Sequence, residues 1–144
     1  MNITVRRALA LDSETIASME REVFSDAWNE QSVREHLSSP YAHSLIAYHV
    51  DEPVGYCLYN SLFSEGELLR IATRKAYRRQ GVAKKLLTAL LESAKDDAVF
   101  LEVRSSNAPA IALYGDFGFE IYGTRANYYK NPTDDATLMK RLSV

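Results

Sequence analysis

Hydrophobic residues along the chain follow two different periods, and each period predicts a different kind of element. From residue 80 to about 95 they recur three and four positions apart, which is the spacing of one helix face. Apolar and polar residues alternate over 3–8, and apolar residues dominate 67–73 and 99–103, as in strands. The predicted strands are 3–8, 44–50, 53–61, 67–73, 99–103, 119–125 and 136–142; the predicted helices are one through 16–23 and three at 29–37, 80–95 and 107–117.

Short polar segments mark the ends of several of these elements. Asp12 or Ser13 can cap the first helix. Asp51-Glu52 separates two strand-like runs and predicts a tight hairpin turn. The order of elements predicts an α/β fold of the α+β type, in which a mixed sheet of about seven strands carries about four helices on its two faces.

Size and charge restrict the classes of protein to consider. The length of 144 residues predicts a single domain, 1–144, that is large enough to bury a core without disulfides. Acidic residues slightly outnumber basic ones, 19 to 17, which argues against a nucleic-acid coat protein. A local basic patch within 70–85 instead suits one polyanionic small molecule; its members are Arg70, Arg74, Lys75, Arg78, Arg79, Lys84 and Lys85.

The chain has one cysteine, Cys57, so it can form no internal disulfide. Cys57 lies in an apolar run and is expected to be a small buried hydrophobe rather than a reactive thiol. The histidines are scattered without metal-ligand spacing, so no metal is expected. No apolar run is long enough for a membrane span or a signal peptide, and a cytoplasmic location is expected.

The segment Arg78-Arg79-Gln80-Gly81-Val82-Ala83 follows a predicted strand and opens a predicted helix. Backbone N–H groups at a helix N-terminus lack helical partners, and the helix dipole favours negative charge there. The two arginines add positive charge. The segment therefore predicts a site for a phosphate-bearing ligand, with one arginine facing the phosphates and the other facing solvent.

Three polar residues in the second half are candidates for chemistry. Glu102 interrupts an apolar strand: it is either solvated or paired, for example with Arg104, or it lies in a cleft as a general base. Tyr114 on the last helix either packs in the core or serves as a general acid. Asn107 can cap that helix, with Pro109 in its first turn.

These residues belong to motifs with a familiar spacing. The segment 101–114, Leu-Glu-Val-Arg-Ser-Ser-Asn-Ala-Pro-Ala-Ile-Ala-Leu-Tyr, is followed by Phe117-Gly118-Phe119. Together with 78–83 it resembles the Gcn5-related N-acetyltransferase (GNAT) superfamily, whose acetyl-CoA pattern is Gln/Arg-x-x-Gly-x-Gly/Ala. Within that superfamily the chain resembles the RimI-type ribosomal-protein alanine N-acetyltransferases, also in Arg-x-Asn-Tyr-Tyr at 125–129. The resemblance is clear over 67–142 and extends to the first 60 residues in element order.

The resemblance implies a mostly antiparallel GNAT-like sheet and a role for each matching residue. It implies that Glu102 is the catalytic base and that Tyr114 is the acid that protonates the departing CoA thiolate. It implies acetyl-CoA as co-substrate, without a metal, held by the end of the fourth strand, the turn and an asparagine: Ile71, Ala72, Thr73, Arg78, Arg79, Gln80, Gly81, Val82, Ala83, Lys84 and Asn107.

The resemblance also implies an acceptor: the N-terminal α-amine of a protein, specifically the alanine that begins ribosomal protein eighteen of the small subunit. Neither nucleic acid nor a membrane is an expected partner. Two alternatives remain: another acceptor (a small amine, an amino acid or a lysine side chain), or a CoA-binding sensor without turnover. Trp28 either lines the acceptor groove or packs internally, and Arg74-Lys75 either attract phosphate or form a solvated loop.

Overall fold

A computed structural model describes residues 2–143, and these form a mixed sheet with α-helices on both faces. The expected fold class is confirmed. The strands are β1 Ile3–Arg7, β2 Leu45–His49, β3 Glu52–Leu62, β4 Glu65–Thr73, β5 Ala98–Arg104, β6 Glu120–Tyr129 and β7 Asp134–Arg141; the α-helices are α1 Ser13–Val23, α2 Glu30–Ser38, α3 Val82–Ser93 and α4 Ala108–Asp116.

The strand order is β1-β2-β3-β4-β5-β7-β6. Among the pairs in the described residues, β4–β5 runs parallel and the others run antiparallel. The β4–β5 pairing extends from Glu65 opposite Ala98 to Leu68 opposite Leu101 and then ends, although both strands continue. The sheet therefore opens at its middle, between the second half of β4 and the second half of β5.

Two apolar clusters fill the two faces of the sheet. Helices α3 and α4 pack on one face, where Leu86, Leu87 and Leu90 of α3 are fully buried. Helices α1 and α2 pack on the other face around Ile16 and Val33. Strand β3 lies between the two clusters, which is why its sequence reads as an almost continuous apolar run instead of an alternating one.

Three local predictions are wrong, because tertiary contacts override the local signals. Asp12 precedes α1, but its carboxylate binds the guanidinium of Arg6 at 2.8 Å and accepts the N–H of Leu9, so it does not cap the helix. The β2–β3 turn is Val50-Asp51 instead of Asp51-Glu52. Strand β6 extends four residues beyond its predicted end, to Tyr129, through an irregular segment.

Candidate functional site

The opening between β4 and β5 is a cleft of about 680 Å³. The α1–α2 connection, the start of α3 and helix α4 complete its walls. The sequence-predicted residues that line it are Ile71, Ala72, Thr73, Arg78, Arg79, Gly81, Val82, Ala83, Lys84, Glu102, Asn107 and Tyr114. We name this space the donor cleft, after the acetyl donor that the sequence resemblance leads us to expect. Gln80 does not line it; its side-chain amide points to the carbonyl of Ala76 at 3.4 Å.

The N-terminus of α3 gives the donor cleft a set of free backbone donors. The N–H of Lys85 makes the first bond of the helix, to the carbonyl of Gly81 at 3.0 Å, so the N–H groups of 82–84 have no intrahelical partner. Gly81 has φ = 83°, a left-handed conformation that glycine adopts without strain. A side chain at this position would extend into open space, where a ligand would lie. This end of the cleft is suited to a phosphate group.

Both arginines of the turn line the cleft and both are exposed; that one of them faces a phosphate and the other faces solvent stays a prediction. Arg78 donates from Nε to the carbonyl of Thr73 at 3.4 Å, and Arg79 has φ = 64°. Arg74 instead pairs with Glu22 and Glu52 at 3.2 and 3.3 Å, so it joins α1 to the start of β3. Its role is structural, and the positive charge around the N-terminus of α3 comes from Arg78, Arg79 and Lys84.

Strand β4 carries a bulge at the mouth of the cleft. Leu58 of β3 is opposite Arg70, and the next residue, Tyr59, is opposite Leu68, so Leu69 is the additional residue. Beyond Leu68, β4 has no strand partner on the side of β5. Part of the backbone of 69–73 therefore presents polar groups to the cleft, where a ligand could pair with them as an added strand.

Glu102 lies on β5 where the strands separate, and its side chain is 33% exposed. Its carboxylate pairs with the guanidinium of Arg125 on β6 at 3.3 Å. The expected pairing with Arg104 is wrong, because Arg104 donates to the carbonyls of Lys130 and Pro132 and stacks on the ring of Tyr129. Glu102 therefore forms an ion pair with Arg125 and is also accessible from the donor cleft.

Tyr114 of α4 is 6% exposed and packs edge to face on Phe119, with ring centroids 5.7 Å apart. Burial raises the pKa of its phenol. Within residues 2–143 its hydroxyl has no hydrogen-bond partner, although the residue lines the donor cleft. Asn107 caps α4, because its Oδ1 accepts the N–H of Ala110 at 3.2 Å, and this leaves its amide N–H groups available to a ligand.

A second cleft of about 690 Å³ adjoins the first along the same strands. We name it the acceptor cleft, after the acceptor that the sequence resemblance leads us to expect. Residues 68–70 of β4, 101–102 of β5, Asp26 and Tyr129 line both clefts. The acceptor cleft adds Trp28 and several side chains from β6, which favours the first of the two interpretations of Trp28. The two clefts therefore share a wall that includes Glu102.

Two tyrosines of the acceptor cleft had no role assigned from the sequence. The Glu102 carboxylate raises the pKa of Tyr128, and burial, followed by Glu102, raises the pKa of Tyr129 to about 12. The irregular segment of β6 brings both rings to the cleft, where their centroids are 5.0 Å apart. Their place in Arg-x-Asn-Tyr-Tyr was the one signal that could have identified them.

Several other groups take no part in the site. Cys57 is fully buried, and burial raises the pKa of its thiol to about 12, which excludes a thiolate nucleophile at neutral pH. Residues 2–143 contain no cluster of three or more His, Cys, Asp or Glu side chains that could hold a metal ion. No helix in the same range is long and apolar enough to cross a membrane.

Comparison with known proteins agrees with this geometry. The acetyltransferase (GNAT) family model matches residues 13–119. N-alpha-acetyltransferase RimI of Mycobacterium tuberculosis is 32% identical, with 96% of this chain and 92% of that protein covered. A putative [ribosomal protein bS18]-alanine N-acetyltransferase of Bacillus subtilis is 34% identical, with 94% and 92% covered.

A solved structure supports the same assignment. The ribosomal-protein-S18-alanine N-acetyltransferase of Escherichia coli superposes with a TM-score of 0.93 at 26% identity, and covers 99% of this chain and 96% of its own. The match includes the sheet and both sets of helices that form the two clefts. The chain therefore belongs to the GNAT family of acetyltransferases.

Proposed function

We propose that this enzyme transfers the acetyl group of acetyl-CoA to the N-terminal alanine of ribosomal protein S18. The observation that carries the proposal is a wall shared by two clefts, which includes the carboxylate of Glu102. Asp26, the other carboxylate on that wall, pairs with Arg70 at 3.2 Å. A donor in one cleft and an acceptor in the other would meet beside Glu102. The names of the Bacillus subtilis and Escherichia coli relatives supply the acceptor.

The donor cleft fits coenzyme A in charge and in shape. The free N–H groups of 82–84 and the two turn arginines would bind the pyrophosphate. The unpaired backbone at the end of β4 would bind the pantetheine amides. The proposed contacts are Ile71, Ala72, Thr73, Arg78, Arg79, Gly81, Val82, Ala83, Lys84 and Asn107; Gln80 is left out because it does not line the cleft.

An amine attacks a thioester in its neutral form, so its proton must leave first. An α-amine has a pKa near ~7.8, and roughly one in seven molecules is already neutral at pH 7. A lysine side chain near ~10.4 is neutral in only about one in 2,500. We propose that Glu102 accepts the proton, directly or through one water, and a single accessible carboxylate suits an α-amine better than a lysine.

The attack forms the C–N bond and produces a tetrahedral intermediate with a negative oxygen and a protonated nitrogen, which gives up its extra proton to water. Backbone N–H groups at the β4 bulge would stabilise that oxygen, because they face the cleft without strand partners. When the intermediate collapses, the C–S bond breaks and a thiolate leaves. We propose that Tyr114 donates a hydrogen bond and then its proton to this sulfur, since its hydroxyl has no competing partner among the described residues.

Residues from both halves of the chain line both clefts, which supports our proposal that 1–144 acts as one domain. We also propose a cytoplasmic location, because ribosomal proteins are made and used there. Neither nucleic acid nor a membrane enters the proposed reaction.

The test is acetyl transfer to a peptide with the alanine N-terminus of S18. Its control is the same peptide with a blocked α-amine and a free lysine. An amino acid and a small amine complete the panel, and both thiol release and product mass are measured. We expect turnover on the free N-terminus alone. Turnover on another amine without turnover on the peptide contradicts the acceptor, and acetyl-CoA binding without any thiol release contradicts catalysis.

A further inference from the structure

We infer that a buried ion pair, Glu20 with Arg70, holds the α1–α2 connection, residues 24–29, against β4 and so sets acceptor binding. The inference rests on the proposed function, because it treats the second cleft as the acceptor site. Neither residue has a role in the chemistry described above. Both act through the connection, so they are positioning residues.

Glu20 lies on the inner face of α1 and is fully buried. One carboxylate oxygen accepts the hydroxyl of Tyr56 on β3. The other accepts the backbone N–H of Trp28 at 2.9 Å and lies 3.3 Å from Nη2 of Arg70. A buried carboxylate is retained when such partners compensate for its lost hydration. Glu20 therefore joins the sheet to the second half of the connection, at Trp28.

Arg70 directs its polar contacts to the same segment. Its side chain is 14% exposed, and Nη2 donates to the backbone carbonyl of Asp26 at 2.8 Å and to its carboxylate at 3.2 Å. Its guanidinium carbon lies 4.1 Å from the ring centroid of Phe24. The Nε atom is buried and has no partner within residues 2–143. The guanidinium thus contacts two residues in the first half of the connection, Phe24 and Asp26.

The connection has no regular structure of its own, yet it lines both clefts. Phe24 lines the donor cleft, Trp28 lines the acceptor cleft, and Asp26 lines both. Besides the ion pair, Ser25 donates to the carbonyl of Asn131 at 3.1 Å, an exposed contact. Among the described residues, the side chains of Glu20 and Arg70 make three of the four hydrogen bonds in which a side chain links 24–28 to the rest of the protein, so loss of the pair would move this wall of the acceptor cleft.

The kinetic test compares Arg70→Met with Arg6→Met. Arg6 also pairs with a buried carboxylate, Asp12, at 2.8 Å, but neither of these two residues lines a cleft. We expect Arg70→Met to raise the KM for the acceptor peptide about tenfold or more, with the KM for acetyl-CoA within about threefold. Arg6→Met should change neither. Equal effects of the two variants, or a parallel rise of both KM values, would overturn the inference.

Two further variants cover the case in which Arg70→Met fails to fold. Glu20→Gln with Arg70→Met removes both charges, leaves no unpaired carboxylate in the core and should give the same rise in acceptor KM. Arg70→Lys keeps the charge but loses the two contacts that Nη2 makes with Asp26. Its acceptor KM should therefore lie between that of the parent and that of Arg70→Met. A normal acceptor KM in the double variant would overturn the inference.

Fluorescence tests the position of the connection without any acceptor. Trp28 is the one tryptophan of the chain, so its emission reports this segment alone. We expect Arg70→Met to raise acrylamide quenching about twofold or more and Arg6→Met to leave it unchanged. The measurement is made at pH 8, where the adjacent His36, whose pKa is lowered by burial, is neutral. Unchanged quenching in Arg70→Met refutes the inference, whereas failure of the parent on every peptide refutes only the proposed acceptor.

Discussion

Replacing Tyr114 with phenylalanine should separate catalysis from folding. The ring is 6% exposed and packs on Phe119, and phenylalanine keeps that packing. The hydroxyl that is lost has no hydrogen-bond partner within residues 2–143. We therefore expect the free energy of unfolding to change by less than about 1 kcal/mol, because no paired polar group is left behind. For a chain of this length, that is less than about 4 °C in Tm.

The effect on the chemical step should be much larger. A positioned general acid contributes a factor of about 10² to 10⁴, which corresponds to about 3–5 kcal/mol of barrier. Burial raises the pKa of Tyr114, so the phenol keeps its proton over the whole working range. The parent kcat should therefore show no decline caused by Tyr114 up to about pH 10. The Kd for acetyl-CoA should stay within about twofold, since the hydroxyl acts on the departing sulfur.

The assay combines single-turnover thiol release, calorimetric binding of acetyl-CoA and thermal unfolding. Tyr59→Phe is the matched control, because Tyr59 lies in the same apolar cluster and donates to Asp97 at 2.8 Å. That variant should lose about 1–2 kcal/mol of stability and retain its rate. A parent-like rate in Tyr114→Phe would remove the phenol from the mechanism. A rate loss that parallels a large loss of stability would mean that the residue is structural.

Four further substitutions test other parts of the reasoning. Gly81→Val should weaken acetyl-CoA binding in calorimetry, because its side chain enters the open space of the donor cleft. It should also lower the free energy of unfolding by about 1–2 kcal/mol, because valine is strained at φ = 83°. Unchanged affinity would contradict the phosphate site. Glu102→Gln should lower kcat/KM at pH 7 about 10²-fold or more, and part of this loss should be recovered at pH 9. The Tm should change little, because the pair of Glu102 with Arg125 is exposed. An unchanged ratio of variant to parent kcat/KM between pH 7 and pH 9 would exclude Glu102 as the base. Gly66→Ala should lower the free energy of unfolding by at least about 2 kcal/mol, because its Cβ would clash with the buried phenol of Tyr59. A Cβ at Gly115 in α4 meets nothing within 4 Å, so Gly115→Ala should raise Tm. Equal Tm values for the two variants would contradict this packing.

The donor half of the site could be predicted from the sequence because its signals are local. The turn at 78–83 and the cap at Asn107 each lie within one short segment, and helix-end chemistry acts over three or four residues. The strands of the core were found for the same reason. The cap expected at Asp12 failed because Arg6, on the neighbouring strand, competes for its carboxylate.

The acceptor half depends on contacts between distant segments, which no local pattern encodes. Glu102 pairs with Arg125, 23 positions along the chain, rather than with the nearby Arg104. The bulge at Leu69 follows from the register of β4 against β3. Glu20 is buried among apolar residues of α1, and its partner Arg70 is 50 positions away.

This asymmetry has a physical basis in the way that the two substrates are recognised. Coenzyme A presents the same phosphates and amides to every enzyme that binds it, and backbone groups at a helix end and an open strand satisfy them with few demands on side chains. An acceptor is recognised by its side chains, so its cleft must be built from side chains. Here these come from 24–29 and from β6, which are positioned by Arg70 and by the β6–β7 pairing. Substitutions that alter which amine is acetylated should therefore concentrate in these two segments, and those at 78–83 should alter donor affinity alone.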